Sequence, residues 1–247
     1  MLLIKLLQSQ GFGSKKHCQY LVESGAVRIN QETVTNPKTP LNLNDLHFTV
    51  YGEEYRYREK VYIALNKPRG YECSHQATHH LSVFELFDEP LIQRGLQCVG
   101  RLDQDTSGLL LLTDDGQFLQ ALTHPRKHVP KVYQMFLADP VDPVQIEQLV
   151  QGVQLHNEKG VFVATDIKQL SEIHLEMTIH QGVYHQVKRM LAAVGNKVEQ
   201  LHRKKIGQLV LQNLPEGQWV YLNEQQIQAA KNKLILENSD MSEIHHL

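Results

Sequence analysis

An α+β fold with a mixed, mostly antiparallel sheet flanked by helices is the expectation for this 247-residue chain, and three observations carry it. Helical and alternating apolar patterns succeed one another without a strict strand–helix alternation, which argues against a doubly wound parallel sheet. Residues 1–58 carry a self-contained pattern of two helices followed by short strands. The central run Leu109-Leu110-Leu111-Leu112 is too apolar for a strand with one wet face, so it needs cover on both sides.

The elements follow in order. Leu2, Leu3, Leu6 and Leu7 recur as one helix face does, so the opening run is expected to be a helix and not a secretory leader. Ser14 is a good N-cap for a second helix that buries Cys18, Leu21 and Val22, and Gly25 suits the left-handed residue after its end. Residues 27–30 and 46–50 alternate as short strands, with Asn36-Pro37 and Thr39-Pro40 turning the chain between them. The charged stretch 53–60 reads as a linker to a second domain over residues 60–236. There, strands are expected at 61–65, 109–113, 132–137, 161–167, 173–179 and 209–211. Helices are expected at 82–87, 118–122, 144–150, 185–194 and 225–236. Residues 237–247 are polar and read as a flexible tail.

Composition narrows the function. No apolar run is long enough to span a bilayer, so no membrane partner is expected. Cys18, Cys73 and Cys98 are odd in number and form no CxxC, which disfavours a disulfide framework or thiolate metal site and fits a reducing cytoplasm. The formal net charge is −2. It hides an uneven distribution: residues 186–205 hold six Lys/Arg and one Glu. Such patches can grip a phosphate backbone locally, because the attraction acts within about 8 Å.

Chemistry concentrates at Val99-Gly100-Arg101-Leu102-Asp103-Gln104-Asp105-Thr106-Ser107-Gly108, which runs directly into the four leucines. A polar loop mounted on a buried strand is held rigidly. On its own it admits two accounts: a reactive carboxylate, or an ordinary Arg101–Asp103 ion pair with Asp105 anchoring a turn. A glycosidase pair of Asp103 and Asp105 lacks a fixed separation. Gly11-x-Gly13-Ser14-Lys15 lacks the spacing of a phosphate loop. His79, His80, His124, His128 and His185 lack metal-ligand spacing and read as surface histidines, and Asp114-Asp115-Gly116 reads as a turn.

Two resemblances bear on these segments. Lys5-Leu6-Leu7, Gly11, Ser14-Lys15-Lys16, Leu21-Val22, Gly25-Ala26-Val27 and Val34 resemble the S4 RNA-binding domain. That implies phosphate contacts from Lys15, Lys16 and Arg28, although Leu2, Leu3 and Ile4 stand where the family usually has Arg-Leu-Asp. Residues 100–113, Gly-Arg-Leu-Asp-x-x-Thr-x-Gly-Leu-Leu-Leu-Leu-Thr, are similar without a gap to the signature of the RsuA/RluA group of pseudouridine synthases. Asn66-Lys67-Pro68-Arg69-Gly70, Lys131-Val132-Tyr133 and Tyr184-His185-Gln186-Val187-Lys188-Arg189-Met190 are like three further motifs of that group, in the same order. The N-terminal resemblance, with residues 152–159, 192–196 and 201–203, points to the RsuA branch, whose members act on ribosomal RNA.

The resemblance implies a site and a substrate. Asp103 maps to the catalytic carboxylate, Arg101 to the residue that replaces the flipped base, Tyr133 to the residue that stacks on it. Lys188 maps to the cation paired with the carboxylate, with its neighbour Arg189 as a rival. Lys67, Arg126, Lys131, Arg189, Arg203 and Lys204 are candidate RNA contacts. The expected reaction is conversion of uridine to pseudouridine in small-subunit (16S) ribosomal RNA, free or in a partly assembled particle, by a monomer. It needs no cofactor and no metal. Modification of large-subunit (23S) RNA, or a non-catalytic assembly factor with the same fold, are the alternatives. Whether the carboxylate attacks C1′ or removes the C2′ proton is open at this level.

Overall fold

The computed structural model describes residues 1–232, so the expected tail at 237–247 and the end of the expected 225–236 helix lie outside the described residues. The chain builds two apolar cores on either side of residue 58. The first comprises Leu3, Leu6, Leu7, Cys18, Leu21, Val27, Phe48 and Val50. Helices Leu3–Ser9 and Lys15–Glu23 pack on a four-stranded antiparallel sheet. Ser14 caps the second helix by accepting from the His17 amide at 3.2 Å, and Gly25 takes φ +76° after its end.

One correction falls here. Glu53–Arg56 is not linker but the edge strand of this sheet, paired with His47–Val50. Tyr55 stacks on Phe48 at 5.6 Å and meets Phe12 edge-on at 4.9 Å. A single inward aromatic carries the strand, and the surrounding charges mask it in the sequence.

The second core surrounds a nine-stranded sheet. Its main path runs Thr165–Gln169, His174–Ile179, Lys131–Leu137, Val198–Ile206, Thr106–Thr113, Tyr62–Lys67, Trp219–Tyr221. Along that path every pairing is antiparallel except that of Val198–Ile206 with Thr106–Thr113. All eight residues of Thr106–Thr113 are buried. Leu110 and Leu112 face one cluster while Leu109 and Leu111 face another, which is why the strand has no polar alternation.

Several elements depart from expectation. The central strand starts at Thr106, three residues before the leucines, because Thr106, Ser107 and Gly108 pair with Leu201, His202 and Arg203. Residues 161–167 split into Val161–Phe162, which hairpins with Val153–Gln154, and Thr165–Gln169. Residues 82–87 form only a short 3-10 turn, Val83–Leu86, closed by a Ser82/Glu85 capping box. Val198–Ile206 and Trp219–Tyr221 are strands that the sequence pattern does not announce; the first presents itself only as a basic patch. Among the described residues no helix is long and apolar enough to cross a membrane.

The two cores are keyed together by one buried guanidinium. Arg94 donates to Asp114 Oδ2 at 2.7 and 2.9 Å, to Gln10 Oε1 at 2.8 Å and to the Glu59 carbonyl at 3.1 Å. Gln10 in turn exchanges hydrogen bonds with the Arg58 backbone, and Asp114 accepts from the Val61 amide. The Asp114-Asp115-Gly116 segment is therefore more than a turn: Asp114 joins the domains, and Asp115 caps the next helix.

Candidate active site

The loop between Val99 and Thr106 is pinned before any of its side chains act. Lys67 is fully buried, and its ammonium donates to the carbonyls of Pro68, Gln104 and Thr106 at 2.9, 3.3 and 2.9 Å. Gly70 donates its amide to the Gln104 carbonyl at 2.7 Å, and Leu102 donates to Cys73 Sγ. Lys67 is thus not an RNA contact, contrary to expectation. It is the internal clamp of the loop. Burial lowers its pKa despite the pull of Cys73, Asp105 and Asp103, and three carbonyls replace the water it lost.

Asp103 sits on the wall of a cavity of about 610 Å³. Its Oδ1 lies 3.2 Å from His185 Nε2 and its Oδ2 lies 3.4 Å from Lys188 Nζ. Lys188 reaches Asp105 more closely, at 2.6 and 2.8 Å to the two oxygens. Burial raises the Asp105 pKa, but the hydrogen bond and charge of Lys188 outweigh it and leave the carboxyl below its ordinary value. Lys188 is therefore shared between two carboxylates, and Asp105 does more than anchor a turn. Arg101 is exposed at the cavity rim and makes no ion pair with Asp103 among the described residues.

His185 is not a bland surface residue, contrary to expectation. It stands at the start of helix Gln186–Ala193 in a left-handed conformation, φ 50°, with its ring against Asp103. His185 and Lys188 are three residues apart, a spacing that puts both on one side of a helix start. That spacing is the signal by which the sequence could have given it away.

Tyr133 lines the same cavity. It is buried, and its hydroxyl accepts from Arg203 Nη1 at 3.4 Å. Arg203 is 2% exposed, so it lies in the cavity floor and not on a phosphate-facing surface. Its backbone passes so close to Gly108 that a Cβ there would meet the Arg203 carbonyl oxygen at 2.3 Å. Glycine is obligatory at that contact. Lys131 also lines the cavity, donating to the Val129 carbonyl at 2.9 Å; burial first, and then Arg203, push its pKa down to about 8.

The remaining expected contacts divide. Arg189 is committed to Glu158 at 3.0 Å and to the carbonyls of Tyr184 and His156, so it holds the 156–159 loop instead of rivalling Lys188. Lys204 pairs with Glu176 at 2.9 Å and does not line the cavity. Arg126, Lys15, Lys16 and Arg28 are exposed. Among the described residues no group of His, Cys, Asp and Glu could hold a metal ion.

Known proteins match this arrangement. Residues 61–193 match the family model for RNA pseudouridylate synthase and residues 1–47 that for the S4 domain. A protein of Vibrio vulnificus named ribosomal small subunit pseudouridine synthase A is 38% identical over 92% of this chain and 98% of its own length. The protein of that name from Escherichia coli K12 is 45% identical over 67% of this chain and 72% of its own. A crystal structure described as a pseudouridylate synthase superposes with a TM-score of 0.66 at 35% identity, covering 93% of this chain and 99% of that one. With the signature loop clamped against a buried strand and its carboxylate facing a cavity, this chain belongs to the RNA pseudouridylate synthase family, with an S4 domain at its N-terminal side.

Proposed function

We propose that this protein isomerises one uridine of small-subunit ribosomal RNA to pseudouridine, with Asp103 as the essential carboxylate. The observation that carries the reading is the placement of Asp103 on a cavity wall that Tyr133 also lines, one oxygen toward His185 and the other toward Lys188. A uridine in a stack or fold must be swung out to reach such a cavity. Exposed Arg101 stands at the rim to fill the gap, and Tyr133 offers a face for the base.

Two chemical routes are open to the carboxylate. It attacks C1′, or it removes the C2′ proton to give a glycal. In both, the ammonium of Lys188 favours the charged form of the carboxylate. The detached uracil turns and rejoins through C5. One proton leaves C5 and one is gained at N1, so the isomerisation consumes nothing and calls for no cofactor. The reading takes the protein to act as a monomer. Residues 1–58, through Lys15, Lys16 and Arg28, supply grip outside the cavity.

The names of the relatives support small-subunit RNA as the substrate, and hence a bacterial cytoplasm as the place of action. Base flipping needs slack in the RNA, which favours a partly assembled particle over a mature subunit. Pseudouridine mapping on naked small-subunit RNA, partial particles, mature subunits and large-subunit RNA tests this. A single site is expected, fastest in partial particles. Reaction only in large-subunit RNA, or equal rates on mature subunits, would overturn the substrate reading.

A further inference from the structure

Arg203 presents an electrostatic anomaly in the cavity floor. Its guanidinium donates from Nε to the Leu109 carbonyl at 2.7 Å and from Nη1 to the Tyr133 hydroxyl. Nη2 is buried with no hydrogen-bond partner among the described residues. No carboxylate lies within ion-pair distance of it among those residues. A buried guanidinium without a carboxylate partner and with one nitrogen left unbonded is costly, and a fold retains such groups where charge develops during function. Lys131, which also lines the cavity, is disfavoured as a cation by burial and then by Arg203, and buried Lys67 and Arg203 both act on the thiols of Cys73 and Cys98, so cationic charge gathers on this side of the cavity. The carboxylate on the wall, Asp103, is already matched by His185 and Lys188.

We infer that Arg203 is a positioning residue whose buried charge, delivered through the Tyr133 hydroxyl, stabilises the uracil ring as it departs from the ribose. This rests on the isomerase reading above. When the C1′–N1 bond breaks, its electron pair goes to the ring and spreads over N1, O2 and O4. The pair that closes the new bond to C1′ comes from C5, which then loses its proton, and N1 regains one. Only between these events does the ring carry a full negative charge. A fixed cation beside it favours that interval and does little for the neutral uridine, so it acts on turnover and not on binding. Tyr133 accepts from Arg203, so the phenol against whose face the base lies is polarised by the buried cation. The strand pairing explains how the charge is held: Arg203 lies between Tyr133 on one neighbouring strand and Gly108 on the other.

The test compares leaving groups. Single-turnover conversion at saturating protein is followed by chromatography of digested RNA, for wild type, Arg203→Met and Arg203→Lys, with uridine or 5-fluorouridine at the target. Fluorine already stabilises the departing ring, so it lessens the need for the cation. Arg203→Met is expected to slow loss of the target uridine about 100-fold, with a clearly smaller effect on 5-fluorouridine. RNA affinity stays unchanged and Arg203→Lys recovers part of the rate. Equal slowing on both bases overturns the inference. So does a defect that vanishes at saturating protein, which would make Arg203 a phosphate contact. Arg203→Gln, also neutral, answers the same question if the methionine variant does not fold. A wild-type protein inert toward uridine would instead refute the isomerase reading itself.

Discussion

The cations of the N-terminal module and those of the cavity are used in opposite ways. Lys15, Lys16 and Arg28 project into solvent from the second helix and the first strand. Around the cavity, Lys67 is wrapped by carbonyls, Lys188 is divided between two aspartates, Arg189 is tied to Glu158 and Arg203 is sealed beneath Tyr133. Exposed cations hold a polyanion at any sequence, and their hold weakens with salt. Buried cations hold the protein's own groups in place, where solvent does not screen them. The residue type is the same, and burial decides which task it performs.

The sharpest way to probe the cavity side is to remove the group its cations serve. Asp103→Asn keeps the shape but is neither nucleophile nor base. Turnover is expected to fall about 100- to 10,000-fold with folding and RNA affinity nearly intact, measured by single-turnover pseudouridine formation. Activity near wild type would mean that the carboxylate is structural.

Lys67→Met tests whether a fully buried cation is structural. The change strands three carbonyls, each of which costs about 1 kcal/mol or more when left unpaired. A loss of about 3 kcal/mol is expected in denaturant unfolding. Turnover should fall with it, because Gln104 and Thr106 bracket Asp105 and follow Asp103. A variant with wild-type stability and merely weaker RNA binding would move Lys67 to the other class.

Lys131 lies between the classes, and pH separates its two states. Its pKa is held at about 8, against 10.5 for an ordinary lysine. It is charged below that value and neutral above it, so RNA affinity is expected to fall as pH rises through about 8, with Lys131→Met losing this step. Folding responds with the opposite sign. Between the lowered and ordinary pKa the unfolded chain binds more protons, so stability rises with pH in that window. An affinity flat across it would show that the ammonium does not face RNA.

The smallest effects belong to the exposed group. Lys15→Ala and Lys16→Ala should each weaken RNA binding modestly. Each should also lower the salt slope by about 0.9 for every duplex phosphate that the lysine neutralised. Single-turnover rates at saturating protein should not change. A rate defect there would erase the contrast between the two regions.

How much the sequence reveals follows this same division. Helix caps, turn residues and the all-apolar strand are legible because local rules govern Ser14, Gly25 and Leu109 to Leu112. The loop that carries Asp103 is legible through its long motif. Burial of individual cations is not, because Lys67 and Arg203 are buried by partners far away in sequence: Gln104 and Thr106 for one, Leu109 and Tyr133 for the other. The Val198–Ile206 strand is hidden for a related reason. Its lysines and arginine look like a solvent patch, and buried and exposed positions alternate only irregularly along it. Glu53–Arg56 shows the same masking on a smaller scale.

Arg94 gives the molecule a sense of distance. It locks Gln10 of the first domain to Asp114, which follows the end of the Thr106–Thr113 strand remote from the catalytic loop. Eight extended residues at about 3.3 Å each make a stiff strut of about 26 Å between the hinge point and that loop. With both ends fixed, and on the function proposed, the gap between phosphates held by the first domain and the Asp103 carboxylate is expected to act as a gauge that selects a uridine partly by how far it lies from an anchoring helix. Lengthening that RNA spacing by a base pair or two should abolish reaction in the wild type, whereas Arg94→Ala, with the strut unhooked at one end, should tolerate it.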